Sequence, residues 1–327
     1  MTGMVWRDGT LTATPITVDN LKAMADDKSF LIWVDLIGLS PSDLQHVGKL
    51  LQLDQHSLED AVSVSERPKA TRFDSYTFTT IYGTKLGAPV GGERRVQLAR
   101  ISAYALPMCL LTVRRDTSFD MNPVIERWKG DPKLVAFGVD GLLQGLLDEA
   151  IDQQFDVLQG LDDDAEALID RLFADKPDLS ELQRRTFEVR RELVDLRRVV
   201  PPMRDVVSTL MRVGSVEHSW KSELLMYYED LNDHVLRATE WLDNLRDLIS
   251  SIFETNLALN DNRMNDAMKR LAGWAAIIAV PTLVTGWYGQ NVPYWGFSNV
   301  YGFISTSVLV VGGVVGLFIV FRRKGWI

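Results

Sequence analysis

LAGWAAIIAVPTLVTGWY at residues 271–288 and VYGFISTSVLVVGGVVGLFIVF at residues 300–321 decide how this chain is read. From Leu271 to Phe321 there is no Asp, Glu, Lys, Arg or His. Each run approaches the ~20 apolar residues that a helix needs to cross a hydrocarbon layer ~30 Å thick. The link between them, GQNVPYWGFSN at 289–299, is short and uncharged. Arg263, Lys269 and Arg270 precede the first run, and Arg322, Arg323 and Lys324 follow the second. Positive charge marks cytoplasmic flanks. The expectation is a multi-pass protein of the plasma (inner) membrane. Its first span is 271–288, its second is 300–321, and 322–327 is a basic cytoplasmic tail. Both termini then face the cytoplasm and only the 289–299 loop lies outside.

The chain has 327 residues, 35 basic and 44 acidic, for a net charge of −9. Every acid, and all but three of the bases, precedes Leu271, so the part ahead of the spans is more acidic than the whole. An acidic body argues against a nucleic-acid partner and suits cations. Met1 to Thr10 is polar and lacks the apolar core of a signal peptide, so the first 270 residues are expected to stay in the cytoplasm. The one cysteine, Cys109, permits no intrachain disulfide, which fits a reducing compartment. It reads as a buried apolar residue. His46, His56, His218 and His234 are scattered and form no zinc-ligand set with it. No nucleophile–base set or phosphate loop stands out, so no enzyme is expected.

Residues 1–139 read as a mixed α/β domain. Phe30 to Leu36 has strand character. Ser40-Pro41 starts a helix that runs through Leu50, with Ser as cap and Pro in the first turn. Residues 76–86, 96–105 and 108–114 are rich in Thr, Val, Ile and Tyr and read as strands of an antiparallel or mixed sheet. Gly87, Pro89, Gly91 and Gly92 separate the first two. Residues 140–270 read as a helical stalk, with helices at about 140–175, 180–213 and 217–270. The second is expected to kink at Pro201-Pro202 and to end at Gly214. Neither Gly nor Pro occurs between Ser215 and Ala272, so the third is expected to run into the first span. Leu224, Leu231, Ala238, Leu245, Ile252 and Leu259 are seven apart, and Tyr228, Val235, Leu242 and Ile249 follow four later. This is the seam of a coiled coil or long bundle, open to helices of the same chain or of other copies.

The first span carries a stripe of polar and small residues. Asn265, Met268, Ala272, Ala275, Ala279, Thr282 and Gly286 recur in steps of three and four and share one face. Trp274, Ile277, Val280 and Val284 fall on the other side. A small-residue stripe serves close helix packing or a narrow pore, and the pattern alone favours packing.

Tyr288-Gly289-Gln290-Asn291, just after a span containing Pro281 and Gly286, resembles the Y-G-M-N signature of the CorA family of divalent-cation (Mg²⁺) channels. Distant matches extend the resemblance over essentially the whole chain. Leu58-Glu59-Asp60 and Arg67-Pro68-Lys69, ahead of Tyr76-Thr77-Phe78, resemble the entry to the family's soluble sheet. Tyr228 to His234 resembles its stalk-helix segment, and Arg322 to Ile327 its ending.

The resemblance implies a funnel-shaped homopentamer that conducts hydrated Mg²⁺ through a pore lined by the first spans. Gly289, Gln290 and Asn291 would then form the selectivity filter. Asn265, Met268, Leu271, Ala272, Ala275, Ala279, Thr282 and Gly286 would line the pore, with Met268 and Leu271 as apolar constrictions able to gate by dewetting. Gating would depend on divalent ions held between soluble domains. Carried over by position, Asp60 and Asp230 are the regulatory pair, with Glu59 beside them. Two departures bear on ion identity. Gln290 replaces the Met of the motif, and the loop from Asn291 to Asn299 lacks the acid that many members carry. A Zn²⁺, Co²⁺ or Ni²⁺ transporter of the same fold is the alternative. A membrane-anchored coiled-coil scaffold without conduction is the third reading.

Overall fold

The computed structural model describes residues 1–63, 66–87, 95–174, 177–216, 220–290, 293, 296–297 and 299–327. The chain divides into two compact units, Met1–Ile252 and Phe253–Ile327.

The first unit is built on seven strands: β1 (Thr2–Arg7), β2 (Thr10–Thr12), β3 (Phe30–Ile37), β4 (Lys69–Arg72), β5 (Thr77–Leu86), β6 (Val96–Ala105) and β7 (Cys109–Arg114). They form one mixed sheet in the order β2-β1-β3-β7-β6-β5-β4. Every pairing is antiparallel except β3 with β7, which run parallel with Ile32 opposite Cys109. The interiors of β3 and β7 are buried along their length, as expected of strands covered on both faces. One face carries α1 (Val18–Asp26), α2 (Pro41–Leu50) and α3 (Gln55–Val62) over a core that includes Ile32, Val34, Tyr76, Phe78 and Cys109. Ser40 caps α2 by accepting from the Asp43 amide, and Pro41 fills its first turn. Burial pushes the Cys109 thiol up to about 12, so it stays a neutral packing group.

The other face is covered by α4 (Asn122–Gly130), α5 (Pro132–Ala136) and α6 (Val139–Leu172), followed by α7 (Leu179–Leu196), α8 (Met203–Val216) and α9 (Ser222–Tyr288). Trp33 packs edge-on to Trp128 at 5.1 Å, and Trp6 meets the same ring at 6.3 Å. Leu142 and Leu146 of α6 belong to one core with Trp33, Ile81 and Ile101 of the sheet. The expected division at residue 139 is therefore not a break in compactness, because α6 supplies the sheet's cover.

Three more expectations change. Pro201-Pro202 interrupt the helix outright instead of kinking it: α7 stops at Leu196, turns cover 197–202, and α8 restarts at Met203. Two successive prolines remove two amide donors and bias Val200 away from helical geometry. Gly214 does not end its helix, since α8 continues to Val216. It makes room for a ring: a Cβ there would lie 2.2 Å from Cδ2 of Trp220. The heptad seam from Leu224 to Ile252 is buried within the single chain, and Leu224, Tyr228, Leu231 and Val235 join the sheet's own core. Each large apolar side chain buried this way stabilises by about 1.5–3 kcal/mol, so the seam by itself calls for no second copy. β1 and β2 had no sequence counterpart.

The second unit holds the rest of α9 and α10 (Val300–Arg323). Both helices carry a stretch long and apolar enough to cross a membrane. In α10 only Gly302 is buried, while Tyr301, Phe303, Val308 and Val311 are exposed. Water does not favour such a surface and lipid does.

Candidate functional site

Within the second unit α9 has two unlike faces. Gly273, Ile277 and Val284 are buried, and Val280 is half-buried. The contacts on that side come from α10 and the tail. A Cβ at Gly313 would lie 2.9 Å from Val280 Cγ1, and one at Gly273 would lie 3.3 Å from the Ile327 side chain. The Trp274 and Phe318 rings are 6.5 Å apart. On the opposite side Asn265, Met268, Leu271, Ala272, Ala275, Ala279, Thr282 and Gly286 are all exposed. Met268 and Leu271 keep 64% and 72% of their surface, so among the described residues nothing covers the two side chains read as apolar constrictions. Ala275, Ala279 and Thr282 line a groove of about 690 Å³ with Ile278, Val280 and Leu283.

The polar groups along this face have defined states. Thr282 Oγ1 donates to the Ile278 carbonyl at 3.1 Å, and Thr285 Oγ1 donates to the Pro281 carbonyl at 2.7 Å. A hydroxyl whose proton is spent on its own helix keeps its lone pairs outward, the orientation a cation or its hydration water needs. Pro281 has no amide, so the Ile277 carbonyl loses its usual helical partner. At the end of α9 the Gly289 amide donates to Thr285 O at 2.8 Å. A Cβ at 289 would lie 2.9 Å from that oxygen, which explains the glycine. The Gln290 amide donates to Trp287 O at 3.4 Å. Gly289 and Gln290 are exposed at this end, and Asn291 lies outside the described residues.

The regulatory candidates sit in the first unit. Asp60, on the last turn of α3, is not a bare carboxylate. Lys69 Nζ, at the start of β4, lies 2.7 Å from Asp60 Oδ2 and 2.9 Å from Glu66 Oε2. Burial pulls the Lys69 ammonium down, but hydrogen bonds and charge from Asp60 and Glu66 outweigh it and hold it above the ordinary lysine range. The stability this adds is complete below that range and is lost as pH rises through the raised value. Glu59 accepts from Gln55 Nε2 at 3.0 Å. Asp230, on α9, is 70% exposed and lies 3.7 Å from His234 Nε2. No bond joins Asp60 to Asp230. Among the described residues no group of three or more His, Cys, Asp or Glu is placed to hold a metal. Of the further acids on α6, Asp152 pairs with Arg127 at 2.9 Å and Asp163 accepts from Gln159 at 3.0 Å.

The model of the family described as "CorA-like Mg2+ transporter protein" matches residues 28–323. The chain belongs to the CorA-like Mg²⁺ transporter family. The cobalt/magnesium transport protein CorA of Thermotoga maritima is 28% identical to it over 312 residues, covering 92% of this chain and 85% of that protein. The zinc transport protein ZntB of Pectobacterium atrosepticum is 22% identical over 304 residues, covering 90% and 88%. The solved CorA magnesium transporter of Methanocaldococcus jannaschii superposes with a TM-score of 0.76 at 22% identity, covering 100% of this chain and 99% of that one. That likeness concerns the fold. It includes an N-terminal α/β sheet domain, a long helix and two C-terminal apolar helices.

Sequence reasoning missed two residues of this CorA-like chain: Lys69 and Glu66, which hold Asp60. The signal was present in Arg67-Pro68-Lys69, read there only as the approach to the sheet. Pro68 favours an extended approach for Arg67, and β4 then fixes Lys69 opposite Thr80.

Proposed function

We propose that this chain is a subunit of a homopentameric channel that moves hydrated Mg²⁺ across the plasma (inner) membrane, with both termini in the cytoplasm. Family membership makes divalent-cation transport the first reading. The observation that carries the pore is the two-faced α9: α10 covers the Ile277–Val284 side, and the Ala275–Thr282 side is left for other copies. Closed cyclic symmetry is the physical expectation for such an assembly.

Mg²⁺ holds its water tightly and prefers oxygen ligands in near-octahedral geometry. A ring of Asn291 carboxamides with Gly289 and Gln290 carbonyls binds the hydrated ion by hydrogen bonds and spares it full dehydration. Thr282 adds a ring of hydroxyl lone pairs and Asn265 a lower polar ring. Met268 and Leu271 close the cytoplasmic end by dewetting. Residues 1–139, the helices of 140–270 and the two spans then act as sensor, stalk and pore.

Asp60 and Asp230, with Glu59 nearby, are the regulatory carboxylates. Their donors are all oxygen, as Mg²⁺ prefers, and with no complete set among the described residues the site draws on a neighbouring copy. A bound cation holds the copies together, and its loss frees them to move.

A zinc, cobalt or nickel transporter of the same architecture is the second reading. It is favoured by Gln290 and by the similarity to a zinc transport protein.

Flux into liposomes, with each divalent ion offered separately, tests both. Mg²⁺ flux that Asn291→Ala abolishes is the expected result. Flux of Zn²⁺ without Mg²⁺ selects the second reading, and no flux of any cation at any internal Mg²⁺ level removes both. Asp230→Lys should weaken inhibition by internal Mg²⁺.

A further inference from the structure

We propose that Lys69 and Glu66 are working parts of the cation site at Asp60: the Lys69 ammonium occupies the carboxylate until a divalent cation displaces it, and Glu66 then keeps the ammonium. This rests on the reading of Asp60 as a regulatory ligand and adds how that ligand is held in the cation's absence.

The geometry supplies a shared proton donor between two acids. Lys69 Nζ is within hydrogen-bond distance of Asp60 Oδ2 and Glu66 Oε2 at once, at 2.7 and 2.9 Å. All three side chains are about one-third exposed or less, so the pair is reachable from solvent yet less screened than a surface pair. Their backbones are fixed independently. The Tyr82 hydroxyl donates to the Glu66 carbonyl at 2.5 Å. The β4–β5 ladder sets Lys69 opposite Thr80. Arg100 Nη2 donates to the Ala61 carbonyl at the end of α3, at 2.5 Å. Arg100 also feels the charges of Asp60 and Glu66, so it is a second cation near the pair, held by the backbone of α3. What is left free to move is the lysine tip.

Lys69 and Arg100 offset the charges of Asp60 and Glu66 without metal, which lessens the repulsion between Asp60 and a carboxylate brought up by a second copy. A divalent cation doubles the charge facing Asp60 but must shed part of its hydration to touch it. The ammonium need not return to water when displaced, because Glu66 already bonds it. Glu66 therefore lowers the cost of the exchange, and Lys69 sets the Mg²⁺ level at which exchange occurs.

The experiment is a Mg²⁺ titration of the detergent-purified full chain, read as the Mg²⁺-dependent rise in unfolding temperature. Lys69→Met should lower the half-effective Mg²⁺ concentration by about fivefold, the equivalent of ~1 kcal/mol for a partly exposed pair. Lys69→Arg, which keeps the charge, should not lower it. Glu66→Gln should raise it, because the ammonium then has Asp60 alone. In the Lys69→Met background Glu66→Gln should lose that effect, since no ammonium remains to be kept. An undiminished Glu66→Gln effect there reduces Glu66 to a general field on the cation and overturns the exchange. A Lys69→Met titration superimposable on the parent overturns the competition. Asp60→Asn should remove the Mg²⁺ response in every background. If Asp60→Asn responds like the parent, the regulatory reading of Asp60 falls and this proposal with it; if it abolishes the response while Lys69→Met changes nothing, only this proposal falls.

Discussion

Replacing Asp35 by Asn removes one charge and almost no volume from the centre of the sheet. Asp35 is fully buried on β3, and Arg114 on β7 is 6% exposed. Arg114 Nε donates to Asp35 Oδ1 at 3.0 Å and Nη2 to Oδ2 at 2.5 Å, a two-pronged pair, while Nη1 donates to the Phe119 carbonyl at 2.6 Å. Thr112 Oγ1 donates to Asp35 Oδ1 at 2.7 Å and accepts from Trp33 Nε1 at 3.1 Å. Asn keeps one acceptor but leaves the guanidinium buried and uncompensated. Breaking one partner of such a pair costs roughly 3–5 kcal/mol. At about 2–4 °C per kcal/mol for a body of this size, the unfolding temperature should fall by roughly 6–20 °C. Near-ultraviolet circular dichroism of the detergent-purified chain is the assay, because Trp33 and Trp128 pack edge-on beside the pair. Asp35→Leu with Arg114→Met should recover most of the loss, since an apolar pair of similar size replaces a buried ion pair at little cost. The exposed pair of Lys129 with Glu126 at 2.8 Å is the control, and Glu126→Gln should change stability by less than ~1 kcal/mol. An Asp35→Asn chain that unfolds within two degrees or so of the parent, or a double variant no better than the single, refutes the reasoning.

Gly313→Val should destabilise the α9–α10 pair by about 1–3 kcal/mol, because its Cβ would press on Val280 Cγ1. Gly316→Ala, with nothing within 4 Å of the added carbon, should be neutral or slightly stabilising in the same thermal assay. Glu192 accepts from the Val96 amide at 2.6 Å, and burial raises its pKa above the ordinary glutamate range despite that bond. Its protonated form is therefore favoured by folding, and that stability is complete below the ordinary glutamate value and lost as pH rises through the raised one. Glu192→Gln should thus unfold at a higher temperature than the parent at neutral pH, with the difference closing as the pH falls through the glutamate range.

The two spans were legible because lipid imposes one requirement, absence of charge over a fixed length, that a linear sequence displays directly. The three strands at 76–86, 96–105 and 108–114 were legible from β-branched and aromatic residues and appear within a residue of the observed ends. β1 was not: only Val5 and Trp6 of its six residues are buried, and its stability comes from its ladder with β3 and from Trp6 against Trp128. The seam of α9 was visible as a period, but its partner was not, because a heptad looks the same whether a sheet domain or another copy covers it. The stripe of small and polar residues on α9 was visible as spacing. What spacing cannot give is which face the second span takes, and α10 takes the Ile277–Val284 side. Asp60 was singled out by resemblance alone, while its pairing with Lys69 depends on α3 and β4 coming together in three dimensions.

The one parallel pairing in the sheet has a consequence for how the protein is made. β3 lies between β1 and β7, and its bonds to β7 join residues as far as 79 apart in sequence. On a ribosome, β1, β2 and β3 emerge with one side of β3 unpaired and the Asp35 charge waiting for an arginine not yet synthesised. An unpaired apolar strand edge is a template for wrong partners, and long-range pairing forms slowly. The interval before β7 arrives therefore leaves the nascent sheet open to aggregation. Overproduction at low temperature, or with a holdase present, should raise the yield of this protein.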